Sequence, residues 1–524
     1  MEDNLNREEA AELLNDLRPE WHYALSNTSP ERFLKGVWSL HMMQSSDGDG
    51  SQIKMFNAPE EARSSDFAGK YRVRPWELET ILNEFFEHKT KGLYHFFRPE
   101  IWNDWAYLIT LLRRIENSEA ALYGGPESII DHLFHIGSKQ FEWQEGFANY
   151  SEIFRGLYIY GQGACASAFS EKFGISVDEF FSYGFALLSV FMKSPVCNAE
   201  IDVSLLGISD QKAKIARDII TGNTSEITEL CRRERSAAGE IAFKPSAFRL
   251  YPCVRDGFQG RYLFCPLPEL ILKRVSTGIF YDVIDAGPVV REDYGRRFES
   301  YVALLLRTYQ PLLNFISETT YMTRQGEVRT PDLFLFGTTD GYEVAVECKA
   351  SRLPYKTRFT DIRDLGPRPY DEMIKAVFQI WRHAYSSRSG RGVPKLAPDA
   401  VGLVLTLDNW FQAGIERQQM VLASAKAMFF SRFPHALQED MIPIGFTSMT
   451  EMEHILRSGT PSSILQSVKE LSRSERRGWS LDSIHREIMP NHIGWTDFPF
   501  VDELAKIVPF WTSFMEVARE KANK

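Results

Sequence analysis

Cysteine is scarce. Six are spread over 524 residues (Cys165, Cys197, Cys231, Cys253, Cys265 and Cys348), with no CxxC pair and no histidine partner at zinc-finger spacing. That excludes a disulfide scaffold and reads as reduced, mostly buried thiols of a cytosolic protein. Long apolar runs are missing as well. The longest, FFSYGFALLSVFM at 180–192, ends at Lys193 and is too short to cross a bilayer, so no membrane partner is expected. Nor is there a basic excess: 60 Lys and Arg against 70 Asp and Glu give a net charge of −10. This argues against a protein that coats nucleic acid indiscriminately, while leaving room for a locally basic cleft. Gly161-Gln162-Gly163 lacks a Walker lysine and reads as a turn, and His132 and His135 have no third ligand nearby. The opening residues, MEDNLNREEAAELLNDL, are acidic and helical in pattern, unlike a targeting peptide, so the expected location is cytoplasmic.

What is present suffices for large cores, with 44% apolar and 13% aromatic residues, and the length predicts about two to four domains. The pattern yields a multidomain α+β and α/β protein. Residues 1–245 repeat apolar positions every three to four residues and read as a helical N-terminal region with a sensing or regulatory task. Residues 246–285 read as a small connector, a β-hairpin turning at RDGFQG and then a helix. DAGPVVRED breaks regularity, and a domain over 286–460 follows. Its expected order is helix (DYGRRFESYVALLLRTY), three strands (NFISETTYM, PDLFLFG, YEVAVECKA), helix (DEMIKAVFQIWRHAYSS) and strand (DAVGLVLTLDNWF). Residues 461–524 are expected to be a helical C-terminal segment.

The stretch RTPDLFLFGTTDGYEVAVECKA puts ionisable groups at the ends of two apolar strands. Alternation places Glu347 and Lys349 on one face with Ala345, and Val344, Val346 and Cys348 on the other. The first face is therefore expected to be polar and presented, the second to lie in a core. Asp332 and Glu347 supply carboxylates for a hard cation such as Mg²⁺, or Mn²⁺ in its place, and the backbone carbonyl of Cys348 is a third oxygen. Lys349 stands beside that site, where it can orient water and offset developing negative charge.

Pro331-Asp332, fourteen residues, then Glu347-Cys348-Lys349 resembles the motif of the PD-(D/E)xK nucleases, the restriction-endonuclease-like superfamily, over about residues 290–450. The resemblance implies an αβββαβ core and Mg²⁺-dependent cleavage of nucleic acid. It also implies that Glu299, on the preceding helix, is a further metal contact, and that Gln379, on the following helix, joins the catalytic set. Lys375, Gln379 and Arg382 share one face of that helix. Gln379 and Tyr385 are spaced more widely than in the QxxxY signature of one branch, so the superfamily alone is identified. Basic residues outnumber acidic ones between Ser351 and Ala397; Arg352, Lys356, Arg358, Lys375 and Arg382 are candidate phosphate contacts, and Tyr355 and Phe359 can stack on bases.

The function implied is a metal-dependent endonuclease with DNA as the favoured substrate, in a layout that suits a regulated effector of bacterial anti-phage defence. The alternatives are an RNase acting on structured RNA such as tRNA, and a non-catalytic nucleic-acid or protein binding module on the same fold. The N-terminal helical region is the expected seat of a protein trigger or regulator. Oligomerisation stays open.

Overall fold

The computed structural model describes residues 6–26, 28–45, 52–88, 97–123, 140, 142–144, 146, 149–235, 240–256, 260–323, 326–337, 341–350, 370–390, 393–408, 414–490, 494 and 496–512. The chain divides into two compact units. One comprises Met1–Ile129, Lys139–Val290 and Phe500–Lys524; the other comprises Ile130–Ser138 and Arg291–Pro499.

The first unit is built from helices α1 (Arg7–Ser26), α2 (Pro30–Met43), α3 (Pro75–His88), α4 (Trp102–Tyr123), α5 (Tyr150–Tyr160), α6 (Gly163–Phe173), α7 (Val177–Phe191), α8 (Asp210–Ile220), α9 (Thr224–Arg235), α10 (Glu269–Val275) and α11 (Phe280–Val283). Their starts follow local chemistry. Ser29 caps α2 ahead of Pro30, and Ser176 and Glu179 form a reciprocal capping box on α7. Aromatic side chains hold the core: Phe33 stacks on Phe85 at 4.0 Å, with Trp21 and Trp105 buried in the same cluster. Helix α3 buries Glu77, Glu79 and Glu84, which is tolerable because Arg113, Arg249 and Lys244 reach them at 2.7, 2.9 and 2.6 Å. No single helix among the described residues is long and apolar enough to cross a membrane; α6 and α7 pass such a test only as a pair, bent by 72°.

The expectation of a separate connector over 246–285 is corrected. Strands β3 (Cys253–Asp256) and β4 (Tyr262–Phe264) do form a hairpin, but they sit inside a four-stranded sheet, β1-β4-β3-β2, with β1 (Val196–Asn198) and β2 (Thr221–Asn223). Backbone pairing to strands from the helical region makes the segment part of the first unit.

The second unit opens with α12 (Pro288–Tyr309) and is organised on a sheet of order β11-β10-β9-β8-β5. These strands are β5 (Asn314–Ser317), β8 (Leu333–Phe336), β9 (Tyr342–Lys349), β10 (Leu396–Thr406) and β11 (Ile444–Ser448). Strands β9, β10 and β11 run parallel, and β8 and β5 are antiparallel additions at one side. Helices α13 (Asp371–Arg388) and α14 (Ile415–Arg432) cover one face, where Ala345, Val404 and Phe446 meet Val377, Trp381 and Phe429. Gly402 of β10 is needed for that layer, because a Cβ there would lie 2.4 Å from Ile444 Cδ1 and 2.8 Å from Ile380 Cγ2.

Helices α15 (Met449–Ser458), α16 (Pro461–Leu471) and α17 (Leu481–Ile488) follow β11, and α16 lies against β9, β10 and β11. The boundary expected at 460 is thereby corrected. Ile464, Leu465, Val468 and Leu471 form a buried apolar face on α16, and its Lys469 reaches Glu343 of β9 at 2.7 Å. The end of the chain goes elsewhere: α18 (Val501–Ile507) belongs to the first unit, where Phe500 stacks on Phe154 at 5.0 Å.

The order helix, strand, strand, strand, helix, strand is present, with one addition. NFISETTYM is not one strand. It breaks after β5, and β6 (Thr320–Thr323) pairs instead with β7 (Gly326–Arg329) in a separate two-stranded ribbon. Its base is clasped by Thr330 N donating to Thr319 O at 2.8 Å and Thr319 N donating to Thr330 Oγ1 at 2.9 Å.

Candidate active site

Asp332 enters β8 directly after that clasp. Leu333 pairs with Val346 of β9, so continuing the register by one step sets Asp332 opposite Glu347. Here the ladder changes hands: the side-chain oxygen Asp332 Oδ2 accepts the Cys348 N–H at 2.7 Å. In an extended strand a residue's N–H and C=O lie along the same edge. The Cys348 carbonyl therefore faces the Asp332 side, while Lys349 O on the other edge accepts from Leu407 N at 3.1 Å.

Glu347 is fully buried, and Asp332 is 9% exposed. The expectation of an open polar face is thus corrected, since α13 covers the Glu347 side of β9 and α16 lies against the same strand. A buried carboxylate needs partners. Glu347 Oε2 accepts from Lys349 Nζ at 2.9 Å, the pairing expected of neighbours on one strand face, and Glu347 Oε1 accepts from Gln379 Nε2 at 3.0 Å.

The electrostatics show how crowded the negative charge is. Burial pushes the Glu347 carboxyl up to about 8, Lys349 opposes the rise, and Asp332 adds to it. Asp332 is also raised by burial, against the pull of Lys349 and the Cys348 N–H. Burial alone would lower Lys349, but Glu347 and Asp332 outweigh it, so the side chain stays a charged ammonium. Glu299 of α12 is carried up to about 7 by burial and then by Asp332 and Glu318, which sets it within electrostatic reach of Asp332 and Lys349.

Comparisons with protein-family models, with curated proteins and with solved structures find no match.

The structure thus brings together Asp332, Glu347, Lys349 and Gln379, with the Cys348 peptide along their edge and Glu299 nearby. Lys375 is placed differently. It is exposed and paired with Glu372 at 2.8 Å, three residues away on the same helix. Arg382 donates to the Arg329 carbonyl at 2.9 Å, fastening α13 to the ribbon, while its charge still reaches Glu347. Arg352, Lys356 and Arg358, like Tyr355, Phe359, His132 and His135, lie outside the described residues. Glu318 was missed by sequence reasoning. Its N–H donates to Asp332 O at 2.8 Å, Arg329 lies 3.5 Å from its carboxylate, and Asp332 raises its pKa after burial does. An acid ending a strand that pairs beside Asp332 was the available signal.

The donor set suits a hard divalent cation. Two buried carboxylates that repel each other, one backbone carbonyl on the same edge, and no imidazole among these groups are what Mg²⁺ or Mn²⁺ prefers. Asp332, Glu347 and the Cys348 carbonyl would hold it.

Proposed function

We propose that the second unit is a metal-dependent nuclease of the PD-(D/E)xK class, hydrolysing phosphodiester bonds, with DNA as the favoured substrate. One observation carries the reading. Asp332 and Glu347 lie side by side on paired strands, and Lys349 is bonded to the second of them. A strand buried on both faces has no packing reason to carry an acid and a lysine at its end, and burying them costs free energy that function can justify. The element order around the site, helix, strands, helix, strand, supports a restriction-endonuclease-like core.

A bound cation would polarise the phosphate and make water a better nucleophile. The chain's own groups do the remaining work. The Lys349 ammonium offsets negative charge as it grows on the phosphate oxygens, in surroundings dry enough to make that charge effective. Gln379 fixes the Glu347 carboxylate through Oε1 and leaves Oε2 to Lys349. Exclusion of water by the covering helices keeps these distances set before substrate arrives. The larger, helical first unit is the proposed place where a protein partner controls the activity, in keeping with a regulated anti-phage effector.

The test is cleavage by the purified full chain of supercoiled plasmid, single-stranded DNA and structured RNA, each with Mg²⁺ and with chelator. Plasmid is expected to be cut in Mg²⁺ alone. Cutting confined to RNA would transfer the proposal to an RNase, and binding without cutting in any metal would favour the non-catalytic module.

A further inference from the structure

In the first unit, His22 of α1 and Glu84 and His88 of α3 each bring one ligand atom within 4.8 Å of the others. Glu84 and His88 are one helical turn apart on the same face, and the His22 ring lies over that of His88 with centroids 3.8 Å apart at 27°. The three border a cavity of about 200 Å³. We propose that His22, Glu84 and His88 form a binding site for a divalent transition metal of the zinc class, sharing no residue with the carboxylate site of the second unit.

Four features support the assignment. Ligands at about 2.0–2.1 Å from a tetrahedral ion sit about 3.3–3.4 Å from one another. His88 Nε2 and Glu84 Oε2 are already 3.5 Å apart, so the α3 half of the site is set without movement. Second, Glu84 is held from behind. Lys244 Nζ donates to its other oxygen, Oε1, at 2.6 Å, the kind of outer contact that orients a ligating carboxylate. Trp21 Nε1 also bonds Oε2, at 3.1 Å, and shares that oxygen with the ion.

Third, the charge around the cavity favours a cation. Glu84 and Glu119 line it with Lys244 and Arg18, and the buried Glu87, outside the lining, puts Oε1 3.3 Å from His88 Nε2, so acids outnumber bases around the site. Stacked rings point their in-plane lone pairs side by side, so the His22 ring turns out of the stack to reach an ion held by Glu84 and His88. Fourth, two imidazoles and one carboxylate match zinc-class ions and are a poor set for Mg²⁺. The remaining coordination position opens on a cavity many times the roughly 30 Å³ share of one water, so a water completes the site. The ion then staples α1 to α3.

The test uses the full chain carrying Asp332→Asn, which weakens the carboxylate site, stripped with chelator and then dialysed against Zn²⁺. About one zinc per chain should remain by elemental analysis, and the Tm should rise on loading. His22→Ala and His88→Ala in the same background should lose that zinc and the Tm rise, while their metal-free Tm stays close to the parent's. Co²⁺ loaded into the Asp332→Asn chain should show the visible bands of a tetrahedral nitrogen and oxygen site, a readout that leaves α1 and α3 untouched. No retained zinc and no Co²⁺ bands would overturn the proposal. So would folded His22→Ala or His88→Ala chains that keep their zinc.

Discussion

Lys349→Ala separates what this side chain does for folding from what it does for cleavage. The ammonium lies 2.9 Å from a carboxylate that is itself fully buried. Removing one partner of a buried ion pair typically costs about 3–5 kcal/mol when the other charge has to stay. Here it does not have to stay. Burial pushes Glu347 up to about 8 even with Lys349 opposing the rise, so without Lys349 the carboxyl is neutral at neutral pH. The expected loss of stability is nearer 1–2 kcal/mol, about what one lost hydrogen bond and some buried methylenes contribute. Cleavage should fall far more, by about a hundredfold or beyond, or at least about 2.7 kcal/mol of transition-state stabilisation. Divalent-ion binding should persist and strengthen as pH rises, because losing a positive charge next to the cation favours binding while the Glu347 proton has to be released first. The assay pairs calorimetric titration of Mn²⁺ with single-turnover cleavage of plasmid and a thermal unfolding scan. A variant that cuts within about threefold of the wild-type rate would refute the role given to Lys349, since one positioned catalytic group is worth far more.

Gln379→Ala leaves one oxygen of a buried carboxylate without its donor; it should slow cleavage by about tenfold and weaken Mn²⁺ binding, with folding kept, as the same titration and single-turnover assays will read. Ca²⁺ should support substrate binding in a gel-shift assay while giving little cleavage, because its looser coordination fits carboxylate sites without enforcing the geometry of Mg²⁺. Glu451 of α15 is pushed up to about 7 by burial, against Thr447 and the Leu481 N–H. A carboxyl raised in this way adds stability that is complete below its unfolded value near 4.5 and lost as pH rises through about 7. Thermal unfolding should therefore show a lower Tm at pH 8 than at pH 6, and Glu451→Gln should shrink that difference without abolishing it, since Glu299 is also raised to about 7.

The candidate site was legible because its signal is local. Asp332, Glu347 and Lys349 fall at the ends of two strands joined by a short turn, and alternation fixes which side chains share a face. Gln379 came only from the family resemblance, and the structure bonds it to Glu347. What could not be read depended on distant partners. Alternation predicted that Glu347 shares a face with Lys349 but not that α13 covers Glu347 completely, since a helix's apolar stripe does not say which strand it will cover. The same holds for α16, whose Ile464, Leu465 and Val468 look like any amphipathic face until β9–β11 are beneath them. The ribbon β6–β7 was hidden because NFISETTYM has continuous β character, and only the clasp between Thr319 and Thr330 ends the first strand. The burial of the α3 glutamates left no local signal in the sequence. Their partners Lys244 and Arg249 lie more than a hundred residues away in the chain.

The central claim is that Asp332 and Glu347 hold a cation that cleaves a phosphodiester, and Asp332→Asn tests it most directly. The amide keeps the shape and an oxygen that can still accept the Cys348 N–H, now 2.7 Å away, so the fold should be unaffected while the charge is lost. Measured side by side with Mg²⁺ on supercoiled plasmid, the wild type should nick and linearise the DNA. The variant should leave it intact with unchanged circular dichroism. Equal cleavage by the two proteins, or none by the wild type under any divalent ion, would contradict the account.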